Sequence, residues 1–119
     1  MPILNVEIVL RENETLSEDL AGNISDAAGE IFDSAAGHTW VKLREIPREY
    51  YAENGGGPPE GISPVFVSVL KRHLPDKVEM QAEAARLAAE IGRVCNRPKE
   101  NVHILYLPAG AGRIFFGGN

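Results

Sequence analysis

Apolar residues fall along the chain in two alternating rhythms, and the order of the rhythms repeats. Ile3 to Leu10 reads ILNVEIVL, which sets Leu4, Val6, Ile8 and Leu10 on one face of a strand. Leu16, Leu20, Ile24, Ala28, Ile31 and Ala35 then recur at steps of three and four, which predicts a helix with one buried stripe ending near Gly37. Thr15-Leu16-Ser17-Glu18 fits a capping box, with Thr15 as N-cap and Glu18 reaching back. Trp40 to Ile46, WVKLREI, alternates again and predicts a second strand.

The second half follows the same plan. Pro64 to Leu70, PVFVSVL, is a run of β-formers. Pro75 suits the first turn of a helix, where Asp76 and Glu79 are favourable near the positive end. Val78, Ala82, Ala85, Ala89 and Ile91 are the expected apolar stripe, and Asn96 and Pro98 the stop. Val102 to Leu107, VHILYL, is the last main strand, with a further short one at Phe115-Phe116.

The landmarks of the two halves coincide at one offset. Pro2 and Pro64 each open an apolar run 62 positions apart, and Gly55-Gly56 and Gly117-Gly118 lie 62 apart as well. At that offset Trp40-Val41 faces Val102-His103, and Leu43 faces Leu105. The chain therefore reads as one domain, residues 1–119, holding two β-α-β repeats over about 2–56 and 64–118. Between them lies a Gly- and Pro-rich surface linker, Glu53 to Ser63. Each β-α-β unit has parallel strands and a right-handed crossover, so the fold class is α/β. Two units give a four-stranded mixed sheet with two helices on one face. No helix remains for the other face, and the apolar residues on both sides of the 64–70 run call for a cover, most simply other copies of the chain.

Composition narrows the function classes. At 44% hydrophobic and 24% charged residues the chain suits an ordered globular fold. A net charge of -5 argues against a general nucleic-acid binder, which carries a basic face. No apolar run is long enough to span a membrane, and MPILNVEIVLRENE lacks the basic and apolar regions of a signal peptide, so the cytoplasm is the default expectation. Cys95, the single cysteine, has no partner for an internal disulfide. His38, His73 and His103 are widely spaced and form no metal-ligand pattern, and PAGAGR has no GK[ST] and so is no phosphate loop; no metal or cofactor is expected.

The Met-Pro start carries the candidate chemistry. A small second residue favours removal of Met1, which would leave Pro2 as an N-terminal secondary amine. In an apolar pocket or beside cations, the charged form of such an amine is disfavoured, and it can exchange protons near neutral pH. Met-Pro is also a common start without chemical meaning. Its place at the head of a strand-helix-strand unit is what gives it weight.

With Pro2 leading ILNVEIVL, and with the segment TWVKLREIPREYYAENGG carrying a Glu-x-Pro turn (Glu45-Ile46-Pro47), an aromatic at Tyr51 and a closing Gly-Gly, the chain resembles the tautomerase superfamily. The first half is similar to the 4-oxalocrotonate tautomerase family. The second half, PVFVSVLKRHLPDKVEMQAEAARLAAEIGRVCNRPKENVHILYLP, looks most like the second halves of cis-3-chloroacrylic acid dehalogenase and malonate semialdehyde decarboxylase. The resemblance implies a homotrimer whose three sheets enclose a barrel, Pro2 as catalytic base or acid, and a small carboxylic acid as substrate. Pro64 is an amide within the chain and cannot substitute for Pro2.

The resemblance also implies the binding residues. Lys71 and Arg72 stand at the strand end where related enzymes bind the substrate carboxylate, and Arg72 has the fork that matches a carboxylate at two points. The alternative is a solvated strand end. Arg11 holds the corresponding place in the first half and is either a second clamp or structural. Tyr51 either closes an apolar pocket or packs in an interface, and His103 is either an interface residue or a site residue. Arg113 follows a glycine-rich turn and can reach a neighbouring subunit's pocket. Trp40 stands where the small tautomerases carry another arginine, a departure that removes one cation. The similar dehalogenases that add water need a carboxylate in the C-terminal segment, and Pro108 to Asn119 contains none, so the resemblance disfavours water-adding chemistry. The minimal chemistry is proton transfer between tautomers of a 2-keto or 2-hydroxy-enol acid. The alternatives are a related decarboxylase or hydratase, or a non-catalytic trimer that binds a small acid or a protein partner.

Overall fold

The computed structural model describes all residues, Met1–Asn119. Alternation becomes strand at β1 (Ile3–Val9), β2 (Trp40–Ile46), β3 (Val65–Leu70) and β4 (Val102–Tyr106), and the two helical rhythms become α1 (Leu20–Ile31) and α2 (Lys77–Cys95). The strands form one mixed sheet in the order β2-β1-β3-β4. β1 and β2 run parallel, as do β3 and β4, while β1 and β3 are antiparallel at the centre. The period of two then decides what is buried. Leu4, Val6 and Ile8 of β1, and Val65, Val67 and Val69 of β3, point to one face and are covered. Ile24 and Ala28 of α1 and Leu87 and Ile91 of α2 complete that core. Each fully buried aliphatic side chain contributes about 1.5–3 kcal/mol.

The opposite face carries Asn5 and Glu7 of β1, Trp40, Lys42 and Arg44 of β2, Phe66, Ser68 and Leu70 of β3, and His103 and Leu105 of β4. No helix lies over it, and Trp40 and Leu105 are 42% and 60% exposed. No helix of the chain is long and apolar enough to cross a membrane.

The two halves superpose in pairing but not at a single offset. Leu4 pairs with Val41 on the core face, and Val65 pairs with Val102 on the same face, so equivalent strand positions stand 61 apart. An offset of 62 would turn every side chain to the wrong face of the sheet. In the helices the buried positions Leu20, Ile24 and Ala28 match Glu83, Leu87 and Ile91, 63 apart. Two extra residues therefore enter between β3 and α2 and leave again before β4. The value 62 suggested by the Pro and Gly-Gly landmarks lies between the two.

Several boundaries differ from the pattern. The capping box at Thr15 does not form; α1 begins at Leu20, after Ser17 Oγ accepts the Asp19 N–H at 3.2 Å. The helix ends at Ile31 and not near Gly37. Asp33, at φ 51°, takes the left-handed position, and Ser34 N–H reaches back to Gly29 C=O at 2.9 Å. Asn96 ends α2 in the same way, at φ 58° with Arg97 N–H on Gly92 C=O at 2.8 Å. Asp76 is the α2 N-cap, its carboxylate accepting Glu79 N–H at 2.8 Å, so Pro75 lies just before the helix. The buried stripe of α2 is Glu83, Leu87, Ile91 and Cys95; Val78 is 76% exposed, and Ala82, Ala85 and Ala89 are not buried. Phe116–Gly118 is a short 3-10 turn, with Phe115 extended before it, and no fifth strand forms.

Candidate functional site

Pro2 is buried at the head of β1, and its carbonyl accepts Trp40 N–H at 3.0 Å. Ile3 pairs with Leu70 across the central antiparallel ladder, so the next position outward sets Pro2 opposite Lys71. Lys71 continues the core face of β3, below the helices. Its Nζ donates to both oxygens of Glu83, at 3.0 and 3.2 Å, and lies 4.9 Å from the centre of the Phe32 ring. Tyr106 of β4 donates its hydroxyl to Glu83 Oε1 at 2.6 Å. Burial and the hydrogen bond to an anionic carboxylate push the Tyr106 phenol well above its ordinary range. Glu83 is 8% exposed and has no unsatisfied oxygen, as a buried carboxylate requires.

Two cations follow the end of β3 and the turn after β4 without an ion-pair partner. The ion pairs of the chain are Arg11–Glu14, Lys71–Glu83, Glu90–Arg93 and Glu14–Arg97, which leaves Arg72 and Arg113 unpaired and exposed. The turn after β4 brings them together: Gly110 N–H donates to Lys71 C=O at 2.8 Å and Ala111 N–H to Arg72 C=O at 3.0 Å. Gly110 permits that approach, since a Cβ there would stand 3.2 Å from Ile114 and 3.3 Å from Leu70. Arg113 borders a hollow of about 430 Å³ with Leu70, Leu107, Pro108, Ile114 and Phe115. Trp40 meets Phe116 edge-on at 5.4 Å and donates Nε1–H to Gly37 C=O.

The other candidates lie elsewhere in the chain. Tyr51 and His103 flank Phe66, with ring centres 5.9 and 5.4 Å away, on the uncovered face toward the opposite end of β3. Tyr51 donates to Glu53 at 2.7 Å, and that bond raises its phenol. Arg11 follows β1 at the pole remote from Pro2. It donates to Asn96 C=O and pairs with Glu14, tying the start of the first crossover to the end of α2. Within one chain, then, Pro2, Lys71, Arg72 and Arg113 share an end, and Tyr51, His103 and Arg11 do not join them. The largest hollow, about 670 Å³, is lined by Asp26, Glu30 and Asp33 together with serine, threonine, glycine and alanine, a poor host for an anion.

Glu83 is the site residue that counting apolar positions passed over. Its signal is the row Leu87, Ile91, Cys95 extended back by one step of four. In the first half the equivalent position is Leu20, so the second half has a carboxylate where the first has a core leucine.

The fold is that of the tautomerase superfamily. The chain is similar to the macrophage migration inhibitory factor from Trichinella spiralis, with TM-score 0.73 and 13% identity over 98% of this chain and 97% of that one. A fused 4-OT solved as an asymmetric trimer gives TM-score 0.73 and 15% identity over 97% and 94%. FG41 malonate semialdehyde decarboxylase, solved with 3-bromopropiolate as inhibitor, gives 0.70 and 15% over 98% and 91%. No family model and no curated protein sequence matches the chain.

Proposed function

We propose that the chain is a tautomerase that uses Pro2, freed by removal of Met1, to move a proton in a small 2-keto or 2-hydroxy-enol carboxylic acid. The observation that carries the reading is the company of Pro2: it is buried at the head of a central strand, opposite Lys71, at the end of the sheet where Arg72 and Arg113 are unpaired. Met1 is 39% exposed, so its removal uncovers the Pro2 nitrogen without opening the core.

The proposed reaction needs little else. The Pro2 amine takes the hydroxyl proton of the enol and delivers a proton to carbon, which leaves the keto acid. Arg72, with Arg113 beside it, holds the carboxylate and stabilises the enolate charge. Lys71, already paired with Glu83, supplies electrostatic surroundings and not a second free clamp. Three copies placed sheet to sheet would cover the open face. Tyr51 and His103, beside Phe66 on that face, are the residues such an arrangement would set against a neighbour. The trimer of the fused 4-OT structure supports that arrangement.

Enol-to-keto conversion of phenylpyruvate and of 2-hydroxymuconate, followed for wild type and Pro2→Ala, tests the reading. After loss of Met1 the variant keeps a primary amine in place of the cyclic secondary amine, and kcat/KM is expected to fall because that base is less well placed and tuned. Equal rates in the two proteins would count against it.

A further inference from the structure

The buried cluster beside Pro2 contains a carboxylate with no part in the scheme above. Glu83 sits on the core stripe of α2, in the position that Leu20 fills in the other half. Filling that position with a leucine would have satisfied the core without cost, whereas a buried carboxylate must be compensated at each oxygen. Glu83 is compensated from two strands: by Lys71 at the end of β3 and by Tyr106 of β4. Phe32, just after α1, closes over the Lys71 ammonium. Arg86, one turn along α2, is the other charge acting on Tyr106. Side chains from β4 and from the segment after α1 thus help to hold one ion pair between β3 and α2, and the ladder sets Lys71 opposite Pro2.

We infer that Glu83 is a positioning residue for the Pro2 site, holding Lys71 as a neutralised cation opposite Pro2 so that the net charge facing the Pro2 nitrogen is set by the pair and not by Lys71 alone. This rests on the reading of Pro2 as a free amine. A lone, half-buried cation here would disfavour the protonated amine. The pair moderates that effect, keeps the proline able to hold a proton between the two halves of the reaction, and leaves carboxylate binding to Arg72 and Arg113.

Titration of the amine in protein carrying ¹⁵N-proline, read by NMR, tests this without any substrate. Glu83→Gln keeps the shape and removes the negative charge. It should lower the Pro2 midpoint by about 1 pH unit, the effect of one nearby like charge. Glu83→Asp keeps the charge but retracts it from Lys71, and should shift the midpoint the same way by less. The double variant Lys71→Met with Glu83→Gln removes both charges and should return the midpoint to the wild-type value. The same double variant also relieves any loss of stability from an unpaired Lys71, so urea unfolding of each variant is measured beside its titration. An unmoved midpoint in Glu83→Gln overturns the inference, and in Glu83→Asp it does so if the first variant does not fold. A double variant as displaced as the single one overturns it too. If Met1 is retained and no amine titrates, this inference fails together with the reading it rests on. If the amine titrates but ignores Glu83, only the inference fails.

Discussion

Arg97 grips Glu14 across 83 positions of sequence, with hydrogen bonds of 2.6 and 2.7 Å to the two carboxylate oxygens. The guanidinium side chain is 1% exposed and also donates to the carbonyls of Val9, Ser63 and Cys95. This one side chain joins the end of β1, the linker and the end of α2, at the pole of the sheet remote from Pro2. Arg97→Ala removes all of these hydrogen bonds together and leaves the carbonyls of Val9, Ser63 and Cys95 without that donor, at an expected cost of roughly 3 kcal/mol. Arg97 holds the Glu14 carboxyl below the usual carboxylate range. A depressed folded-state value stabilises the protein above the unfolded-state value, and that stabilisation is lost as the pH falls through the folded-state value. Wild type should therefore lose stability on acidification below about pH 4.5. Glu14→Gln, less stable at neutral pH by about 2 kcal/mol, should lose less over the same interval. Urea unfolding across pH 3–7 measures both.

Cys95 closes the buried stripe of α2, and burial pushes its thiol up to about 11. The thiolate is the reacting species. At pH 8 the folded protein should react with Ellman's reagent far more slowly than the same protein in guanidinium chloride. Rapid reaction in the folded state would show that the end of α2 opens.

Gly110 seats the turn that carries Arg113 against the end of β3. Gly110→Ala should force the turn outward, at roughly 1–3 kcal/mol for a methyl group pressed into a filled site. With Arg113 displaced and Pro2 untouched, KM for the acid should rise while kcat changes less. A loss confined to kcat would place the role of the turn elsewhere.

Leu105 is 60% exposed on a face that no helix covers. If copies of the chain cover that face, Leu105→Glu puts a charge into the interface. Light scattering after size exclusion should then give three times the 13.0 kDa chain mass for wild type and a smaller species for the variant. A wild type with the mass of a single chain would contradict the assembly, and two trimers of equal mass would take Leu105 out of its interface.

The strands were legible because sheet burial follows a period of two: Leu4, Val6, Ile8 and Val65, Val67, Val69 mark themselves by alternation. The helices were harder for a definite reason. On α2 two rows at steps of three and four compete. The row Val78, Ala82, Ala85, Ala89 looks apolar, yet the buried row begins with a charge at Glu83. The capping-box pattern at Thr15 was present in sequence, but Glu14 is held by Arg97 and Arg11, and the chain turns through Ser17 before the helix can begin. At the site, the nearness of Pro2 to Lys71 follows from the antiparallel β1–β3 register, which the internal repeat does not specify. The pairing of Lys71 with Glu83 was hidden, because it joins a strand end to the one charged position on the row Leu87, Ile91, Cys95.

The central claim is that Pro2 acts through a free nitrogen. The intact mass of the chain purified from its native source tests it most directly. The account predicts a mass lower than the full sequence by one methionine residue, with proline as the first residue. A chain that keeps Met1 has an amide at Pro2, with no basic nitrogen there, and would contradict it.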